Sequence, residues 1–362
     1  MMGVRFPSAR AVAHVDTDAL CENYRRICTY AARPVMAVVK ANAYGHGYAH
    51  TVPALVNAGC RHFAVATVEE GRAVRALAPE AQILVLGYTP PCEAGALCEA
   101  ALTQSVFSLP YAAALSGAAV ACGVTLPVQI KVDTGMCRLG VTHTATEELE
   151  RIAALPALCV TGVYTHFPRA GEDARDTARA ARRLAALRQL FPGACFHAAA
   201  SDAITLESAR FDYVRAGIAL YGYGALRAPL ALSPTLCLTA PVVQLREVPR
   251  GTPVGYSGAY VTPHRARIGV LPVGYADGLH TALAGLPVSL LHAGLRFPVK
   301  LCGRICMDAC MVDLTGTPAE VGDNICLIED AEQVASAAGS IAYEVLAALG
   351  TRVRRQQKGA IT

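Results

Sequence analysis

The chain has no tryptophan, and aromatic residues make up only 6% of its 362 positions. Proteins that bind nucleic acids stack bases on aromatic rings and collect lysine and arginine into basic patches. In this chain the basic residues are scattered, and the formal net charge is only +4. These absences argue against a nucleic-acid-binding function.

Charged residues are also few, at 17% of the chain. The longest stretch without any charge lies between Glu99 and Lys131, but two glycines and two prolines interrupt it. We interpret it as a strand, a helix and a second strand rather than a helix that spans a membrane. Residues 1–13 lack the apolar segment of a secretory signal. We therefore expect a cytoplasmic protein without a membrane partner.

Cysteine is abundant, with 14 residues, but the chain is too long to be a small disulfide scaffold. Reduced thiols in a cytosolic protein are the expectation. Cys302, Cys306 and Cys310 recur at every fourth position. The surrounding residues, Val299–Leu314, resemble a strand, in which even spacing places side chains on one face. With no C-x-x-C pair or histidine cluster nearby, packing is favoured and no metal site is expected.

The first two-thirds of the chain alternates short apolar runs with helical patterns such as Val68–Leu77, Glu147–Ala154 and Asp173–Leu190. Eight strands separated by helical crossovers predict a (β/α)8 TIM-like barrel. The predicted strands are Pro34–Lys40, His62–Thr67, Ile83–Gly87, Ser105–Ser108, Val128–Thr134, Val160–Phe167, Cys195–Ser201 and Tyr213–Gly217.

After about Pro234 the spacers become rich in glycine and proline, and helices return only near Val334–Ala337 and Ile341–Leu349. Consecutive strands without helices predict an antiparallel β domain. We therefore divide the chain into a barrel at 1–235 and a β domain at 236–362, and we expect the basic segment Arg352–Lys358 to be a solvated terminus. The predicted strands here are Val242–Val248, Arg267–Leu271, Val288–His292, Val299–Cys302, Asp308–Val312 and Ile325–Leu327.

The most informative segment is A-V-V-K-A-N-A-Y-G-H-G at 37–47, in which an apolar strand ends in Lys40 and a small-residue loop follows. A partly desolvated amine loses its proton more easily and becomes a nucleophile. Such an amine can hold an aldehyde cofactor as a Schiff base. A surface lysine that merely closes a strand is the ordinary alternative.

Barrel enzymes carry their chemistry at the carboxyl ends of the strands. Several polar residues fall at or near such ends in the predicted barrel. They are Lys40 on the first strand, Lys131 and Arg138 within and after the fifth, His166 on the sixth, Ser201 on the seventh and Arg215 on the eighth.

Seven segments, in order along nearly the whole chain, resemble alanine racemases, the pyridoxal-phosphate-dependent (PLP) enzymes of fold type III. They are the segment at 37–47, K-V-D-T-G-M-C-R-L-G at 131–140, Y-T-H-F at 164–167, V-R-A-G-I-A-L-Y-G at 214–222, V-G-Y-S-G at 254–258, G-Y-A-D-G at 274–278 and G-R-I-C-M-D at 303–308.

The resemblance implies a barrel followed by a β domain, with the strand near Ala13–Val15 joining the β domain. It implies a homodimer that interconverts L-alanine and D-alanine with PLP, supplying D-alanine for peptidoglycan. Lys40 would be the base on one face of the substrate. Tyr256, from the partner subunit, would be the base on the other.

The resemblance also implies the cofactor contacts. Arg215 would face the pyridine nitrogen, and because a guanidinium only donates hydrogen bonds, that nitrogen would stay unprotonated. His166 would hold Arg215 in place. Ser201, Gly217 and Ile218 would bind the phosphate, and Tyr44 would close the site.

On the substrate side, the resemblance implies that Arg138 contacts the cofactor's phenolic oxygen and the substrate carboxylate. Lys131, when carbamylated, would orient Arg138. Met307 of the partner would offer its backbone N–H to the carboxylate. The expected entrance and supporting residues are Tyr275, Arg304, Cys306, Asp308 and Thr351.

Three positions depart from the family's usual residues. Ala200 stands where asparagine often precedes the phosphate-binding serine, Thr281 where an arginine is usual, and Thr351 where a tyrosine narrows the pocket. The last two changes would widen the substrate corridor. They favour weaker exclusion of larger substrates such as serine.

Two alternatives stay open. A serine or broad-specificity racemase on the same scaffold would share Lys40, Tyr256 and Arg215. A non-catalytic PLP-binding protein is disfavoured because its known barrel forms lack the β domain. Arg215 also disfavours a decarboxylase, since the related barrel decarboxylases carry an acid at that place.

Overall fold

The computed structural model describes residues 10–359. Its strands, in chain order, are β1 (Val12–Val15), β2 (Val35–Val38), β3 (His62–Val65), β4 (Gln82–Val85), β5 (Thr103–Val106), β6 (Leu126–Asp133), β7 (Val141–Thr142), β8 (Leu158–Tyr164), β9 (Cys195–Ala200), β10 (Tyr213–Ala216), β11 (Leu236–Pro241), β12 (Gln244–Val248), β13 (Pro253–Val254), β14 (Tyr260–Val261), β15 (Ala266–Leu271), β16 (Pro287–His292), β17 (Leu295–Cys302), β18 (Cys310–Asp313), β19 (Asn324–Ile328) and β20 (Arg354–Gln357).

The longer helices begin and end at residues suited to capping. Ser108 and Asp173 accept the N-cap hydrogen bond through their side-chain oxygens, and Gly123 and Gly339 end their helices with left-handed backbone. The α-helices are Thr17–Ala31, Tyr48–Asn57, Val68–Leu77, Ala94–Glu99, Leu109–Cys122, Thr146–Ala153, Ala174–Ala185, Ala331–Ala338 and Ala342–Ala347. Lys40–Tyr44 forms a further helical turn, whose residues after Lys40 have positive φ.

The chain divides into two compact units, of which the first contains residues 18–43 and 51–233. Eight parallel strands close into a barrel in the order β2, β3, β4, β5, β6, β8, β9, β10, because β5 pairs with β6 and β10 pairs with β2. The short β7 pairs only with β6. Each barrel strand consists mainly of buried residues, as expected for parallel strands covered by helices. All eight predicted barrel strands are confirmed within a few residues.

The second unit contains residues 10–17, 44–50 and 234–359. Its sheet has nine strands in the order β12, β15, β18, β17, β16, β19, β11, β1, β20, and a separate hairpin joins β13 to β14. All neighbours are antiparallel except β1 and β20. The predicted antiparallel β domain is therefore confirmed, and β1 pairs with β11 in this sheet.

The structure of this unit differs from the predictions in three places. The basic segment Arg352–Lys358 is mostly exposed, as expected, but it is not an irregular terminus, because β20 pairs with β1 and the Lys358 N–H donates to the Val15 carbonyl. Strand β11 was not predicted at all. Val299–Leu314 is interrupted by a loop at 303–309, so Cys306 does not share a strand with Cys302 and Cys310.

Among residues 10–359, no helix combines the length and the apolar character that crossing a bilayer requires.

Candidate functional site

Lys40 follows β2 by two residues and opens a left-handed turn. Ala41, Asn42 and Ala43 have φ of 54°, 53° and 56°, a conformation that costs most non-glycine residues free energy. The Glu70 carboxylate supports the turn, because it accepts the Ala41 N–H at 2.7 Å and the Ala66 N–H at 2.7 Å. The tertiary structure thus fixes the backbone that carries the Lys40 amine.

The pKa of Lys40 is lowered, first by burial of its amine and next by the positive charge of Arg138, while Glu70 partly opposes the shift. A lowered pKa raises the fraction of unprotonated, nucleophilic amine at neutral pH. The environment therefore suits the chemistry that the sequence suggested for this lysine.

Lys131 lies inside β6 and is buried. Its ammonium nitrogen has no hydrogen-bond partner among the described residues and lies 5.4 Å from the centre of the Tyr164 ring. Burial, followed by the charges of Arg215 and Arg138, lowers its pKa to about 8. A buried, unpaired amine is costly for the fold and points to a ligand or a modification at this position.

Arg215 lies on β10 and is buried. Its guanidinium donates to the Thr165 carbonyl at 2.7 Å and the Ala198 carbonyl at 2.9 Å. It also contacts Nδ1 of His197 and, at 3.5 Å, Nδ1 of His166. These partners are neutral rather than anionic, and burial lowers the pKa of Arg215 to about 10. A buried cation held by neutral groups is available to an electron-rich ligand atom.

His197, which is fully buried on β9, is a further polar residue of this site that was not among the predicted ones. Arginine can only donate, so Nδ1 of His197 must accept from Arg215 and Nε2 must carry the proton. That proton is donated to Gln129 Oε1 at 2.7 Å. Burial and then Arg215 hold the pKa of His197 well below its usual value. A histidine inside an otherwise apolar strand was the signal that could have identified it.

His166 follows β8 by two residues, and the charges of four basic side chains act on its imidazole. Its pKa is lowered to about 3, first by burial and then by Arg215, Lys131, Arg138 and Lys40. Four cations converge on one neutral imidazole. Such a concentration of positive charge suits a ligand with several anionic groups.

Ser201 follows β9, and its Oγ accepts the N–H groups of Gly217 at 3.1 Å and Ala219 at 3.3 Å. Both acceptor positions of the hydroxyl are then used, so its O–H proton is the group that can bind a ligand oxygen. Gly217 begins the short turn Ile218–Tyr221 after β10. Ala200 is the last residue of β9, next to Ser201.

Arg138 lies in the loop after β6 and is exposed. The Asp133 carboxylate organises this loop, accepting the N–H groups of Gly135, Met136 and Cys137 at 2.7, 2.8 and 2.8 Å. The charge of Arg138 contributes to the lowered pKa values of Lys40 and Lys131. It therefore acts electrostatically on the same end of the barrel.

The remaining predicted residues belong to the other unit. Tyr44 is buried there, with its ring centre 5.9 Å from that of Tyr343. Tyr256 is 69% exposed, in a turn where Gly255 has φ of 73°. With ψ of −168°, this is backbone that essentially only glycine adopts, so the turn favours glycine at this position.

Two loops of this unit are joined by backbone hydrogen bonds, from Tyr275 to Cys306 at 3.0 Å and from Ala276 to Met307 at 3.1 Å. Tyr275 and Met307 are 47% and 53% exposed, an unusual state for large apolar side chains. The same unit contains the other predicted entrance and supporting residues and Thr281. Arg304, Asp308, Thr281 and Thr351 are exposed, and Cys306 is partly buried.

Sequence reasoning missed Arg352 and Asp277, which tie these loops together. Arg352 contacts the Asp277 and Asp308 carboxylates, each at 2.8 Å. Asp277 is buried and also accepts the Gly274 N–H at 2.9 Å. The pairing holds Asp308 and the residues beside Thr351 in one cluster.

Comparison with known proteins gives a consistent result. Residues 15–225 match the family "Alanine racemase, N-terminal domain", and residues 235–357 match "Alanine racemase, C-terminal domain". The chain is 36% identical over 376 residues to alanine racemase of Desulfosudis oleivorans, covering 95% of this chain and 96% of that protein.

Solved structures of alanine racemases also resemble this chain along nearly its whole length. The biosynthetic alanine racemase of Pseudomonas aeruginosa is 35% identical with a TM-score of 0.83, covering 97% of this chain and 100% of that one. The alanine racemase of Bartonella henselae, solved with covalently bound pyridoxal phosphate, is 28% identical with a TM-score of 0.85, covering 97% of this chain and 100% of that one.

Proposed function

Because the chain belongs to the alanine racemase family and is an amino-acid racemase by that membership, we propose that it interconverts L-alanine and D-alanine by a two-base mechanism with PLP held on Lys40. The observation that carries the proposal is that Lys40, Lys131, Arg138 and Arg215 all lie close enough to His166 to lower its pKa. Two amines with lowered pKa values therefore lie near two guanidiniums, and the guanidiniums match anionic groups such as the carboxylate of the substrate.

The residues of the barrel fit the cofactor. Ser201, Gly217 and Ile218 would bind its phosphate, Arg138 its phenolic oxygen and Arg215 its ring nitrogen, with Tyr44 closing the site. When bound, PLP withdraws electron density from Cα of the amino acid and makes the Cα proton acidic. Arg215, which contacts His166 and His197, can only donate, so it would donate a hydrogen bond to the ring nitrogen and leave that nitrogen unprotonated. An unprotonated ring nitrogen would limit competing reactions such as decarboxylation.

Lys40 would remove the Cα proton on one face, which its lowered pKa favours because the free amine is the base. Lys131 would react with carbon dioxide, and its carbamate would carry a negative charge that pairs with Arg138. The buried amine without a hydrogen-bond partner and with a pKa of about 8 supports this modification. Arg138 would then bind the substrate carboxylate.

Tyr256 would return a proton on the opposite face, and it would come from the partner subunit of a homodimer. The support is its 69% exposure together with the exposed Tyr275 and Met307. An apolar surface of this kind is typical of an interface. The Met307 N–H would assist Arg138 at the carboxylate, and Tyr275, Arg304, Cys306, Asp308 and Thr351 would border the entrance. The enzyme would supply D-alanine for peptidoglycan from the cytoplasm.

The test is Cα hydrogen exchange in D2O with purified protein loaded with PLP, using L-alanine and L-serine in parallel. We expect deuterium at Cα together with inversion for alanine, and loss of both in Lys40→Ala but not in the surface control Lys300→Ala. Exchange without inversion would contradict the role of Tyr256. No exchange would favour a PLP-binding protein without turnover.

The exposed Thr281 and Thr351 favour some serine turnover as a second activity. Threonine is smaller than the arginine and the tyrosine that the family usually has at these positions. In the same experiment, a kcat/KM for serine close to that for alanine would identify a broad-specificity racemase. Strict selectivity for alanine would contradict a widened corridor.

A further inference from the structure

Two thiols approach each other in the middle of the nine-stranded sheet. Cys237 lies on β11 and Cys326 on the neighbouring β19, and their sulfur atoms are 2.9 Å apart. Cys326 pairs with Thr239, so the two cysteines lie on the same face of the sheet, two positions apart along the ladder. All fourteen cysteines of the sequence lie within residues 10–359, and all are free.

We propose that Cys237 and Cys326 form a reversible disulfide when the protein meets a small hydroperoxide. This modification site lies within the β-domain unit. It uses none of the residues assigned to racemisation, so it does not depend on the proposed function.

The geometry requires a small movement. A disulfide has an S–S bond of about 2.05 Å, so the sulfurs must approach by roughly 0.9 Å. The β11–β19 ladder is irregular at this point, with a register shift between Leu238 and Thr239. A disrupted ladder allows the strands to shift more easily than a regular one, which makes this approach feasible.

The two thiols differ in a way that suits a reactive cysteine and a resolving cysteine. Cys237 is partly exposed, whereas Cys326 is 2% exposed. The hydrogen bond from Cys326 lowers the pKa of Cys237, while burial and Glu329 oppose this shift and Arg296 and Lys358 add to it. Because Cys237 is the more exposed of the two cysteines, it is the one that meets the oxidant, as its thiolate.

Residues of β19 border a cavity of about 360 Å³, whose lining includes Cys326, Leu327 and Glu329. A hydroperoxide is far smaller than this space. The cavity therefore leaves space beside Cys326. Cys237 is not among its lining residues, and the oxidant reaches Cys237 through the partly exposed side of that residue.

The reaction balances with the peroxide as the oxidant. The Cys237 thiolate attacks a peroxide oxygen, so an S–O bond forms, the O–O bond breaks and one water is released after protonation. The Cys326 sulfur then attacks the Cys237 sulfur, so the S–S bond forms, the S–O bond breaks and a second water leaves. Two thiols lose two protons and two electrons in total, and hydrogen peroxide is reduced to two waters.

The link would join positions 89 residues apart in the sequence. A cross-link across so long a segment restricts the unfolded chain strongly and stabilises the folded one. We therefore expect the thermal unfolding temperature to rise on oxidation and to return when a dithiol is added. A variant that lacks either cysteine should show no such rise.

The test uses the full chain loaded with PLP and treated with hydrogen peroxide, after which the remaining thiols are alkylated. Trypsin combined with a protease that cleaves before aspartate gives the peptides 228–246 and 323–329, each of which contains one of the two cysteines. We expect these peptides to be linked and two hydrogens lighter than their sum, and to separate on reduction. The variants are Cys237→Ser and Cys326→Ala, and the matched control is Cys302→Ser, a buried thiol of the same sheet.

The proposal is supported if the link forms in the wild-type chain and the control but in neither variant. It is overturned if the wild-type chain carries only alkylated or over-oxidised Cys237 with no link. It is equally overturned if Cys326 is linked to a different cysteine, or if only the exposed thiols, such as Cys98 and Cys159, react. The wild-type measurement alone decides the matter should a variant fail to fold.

Discussion

At the scale of single residues, the barrel site depends on side chains that stay neutral beside buried cations. His197 can accept from Arg215 only while its Nδ1 is unprotonated, and Gln129 fixes that tautomer through Nε2. Protonation would place two positive charges in contact inside the barrel, which is why the pKa of His197 lies so low. The contact that holds the Arg215 guanidinium against His197 thus requires a neutral imidazole.

His197→Phe tests this arrangement, because it keeps the ring that stacks on Tyr164 but removes both hydrogen bonds. Leaving Gln129 and Arg215 without these partners should lower the free energy of unfolding by about 1–3 kcal/mol for each group. PLP affinity should fall as well. Urea unfolding and a PLP titration measure the two effects.

The matched control is His62→Phe, on the barrel strand β3, which is not a neighbour of β9. His62 has no partner for Nδ1 among residues 10–359, and its ring lies against Tyr213 at 4.7 Å. His62→Phe should lower the free energy of unfolding by less than His197→Phe does, and it should leave PLP affinity unchanged. Equal losses in the two variants would contradict a specific role for His197.

Lys131 gives a prediction about pH. Its folded-state pKa is about 8, against 10.5 for a free lysine side chain, so the unfolded chain binds more protons between these pH values. Stability should therefore rise with pH across this window, and the full penalty, up to about 3 kcal/mol, is present below pH 8. Lys131→Met should stabilise the PLP-free protein by up to that amount at pH 7.

The stabilisation by Lys131→Met should decrease as the pH rises from about 8 toward 10.5, because Lys131 of the wild-type chain is then neutral in both the folded and the unfolded state. Urea unfolding in carbon-dioxide-free buffer at several pH values measures it. The exposed Lys300→Met should show no such pH-dependent gain. A constant gain at all pH values would indicate packing rather than charge as the cause.

At the scale of elements, the turn after β2 shows how the structure overrides local preference. Alanine and asparagine after Lys40 adopt left-handed backbone, which Glu70 supports through two N–H groups from different segments. Isolated residues of this kind would favour right-handed or extended backbone. The turn forms because Glu70 and the strands around it determine the path of the chain.

Ala41→Gly should therefore leave stability unchanged or raise it by up to about 1 kcal/mol, because glycine adopts positive φ without strain. The same substitution at the exposed Ala114, inside the helix Leu109–Cys122, should destabilise by about 0.5–1 kcal/mol. The difference between the two free energies of unfolding is the measurement. If glycine lowers the free energy of unfolding more at Ala41 than at Ala114, the turn does not store backbone strain.

At the scale of the whole molecule, the proposed sharing of sites between subunits can be tested by mixing variants. One chain carries Lys40→Ala and the other Tyr256→Phe, and two affinity tags isolate the heterodimer. A site that combines Lys40 of one subunit with Tyr256 of its partner stays intact once per dimer. We expect about half of the wild-type racemisation rate.

The reciprocal control pairs a wild-type chain with a chain that carries both substitutions. If sites are shared, each site in this heterodimer lacks one base and activity stays near that of the single variants. If instead each chain supplies its own two bases, the heterodimer of a wild-type chain and a doubly substituted chain keeps half of the wild-type activity. The heterodimer of the two single variants then loses its activity. The two arrangements therefore give opposite results.

The sequence by itself determined the fold class, because eight apolar runs separated by helical patterns bury well only as a barrel, and glycine-rich spacing between strands favours an antiparallel domain. It also gave Lys40, Lys131, Arg138, His166 and Arg215 as candidate site residues, because charged and polar groups at strand ends stand out against apolar surroundings. The local composition and spacing of the sequence are enough to mark these residues as candidates.

Only the tertiary structure decided what depends on distant partners. Strand β20 reads R-R-Q-Q and carries no apolar signal, yet it pairs with β1 from the other end of the chain. His197 gains its role from Arg215 and Gln129, and Cys237 meets Cys326 from a position 89 residues away. Such contacts arise from packing between remote segments, so no local pattern in the sequence encodes them.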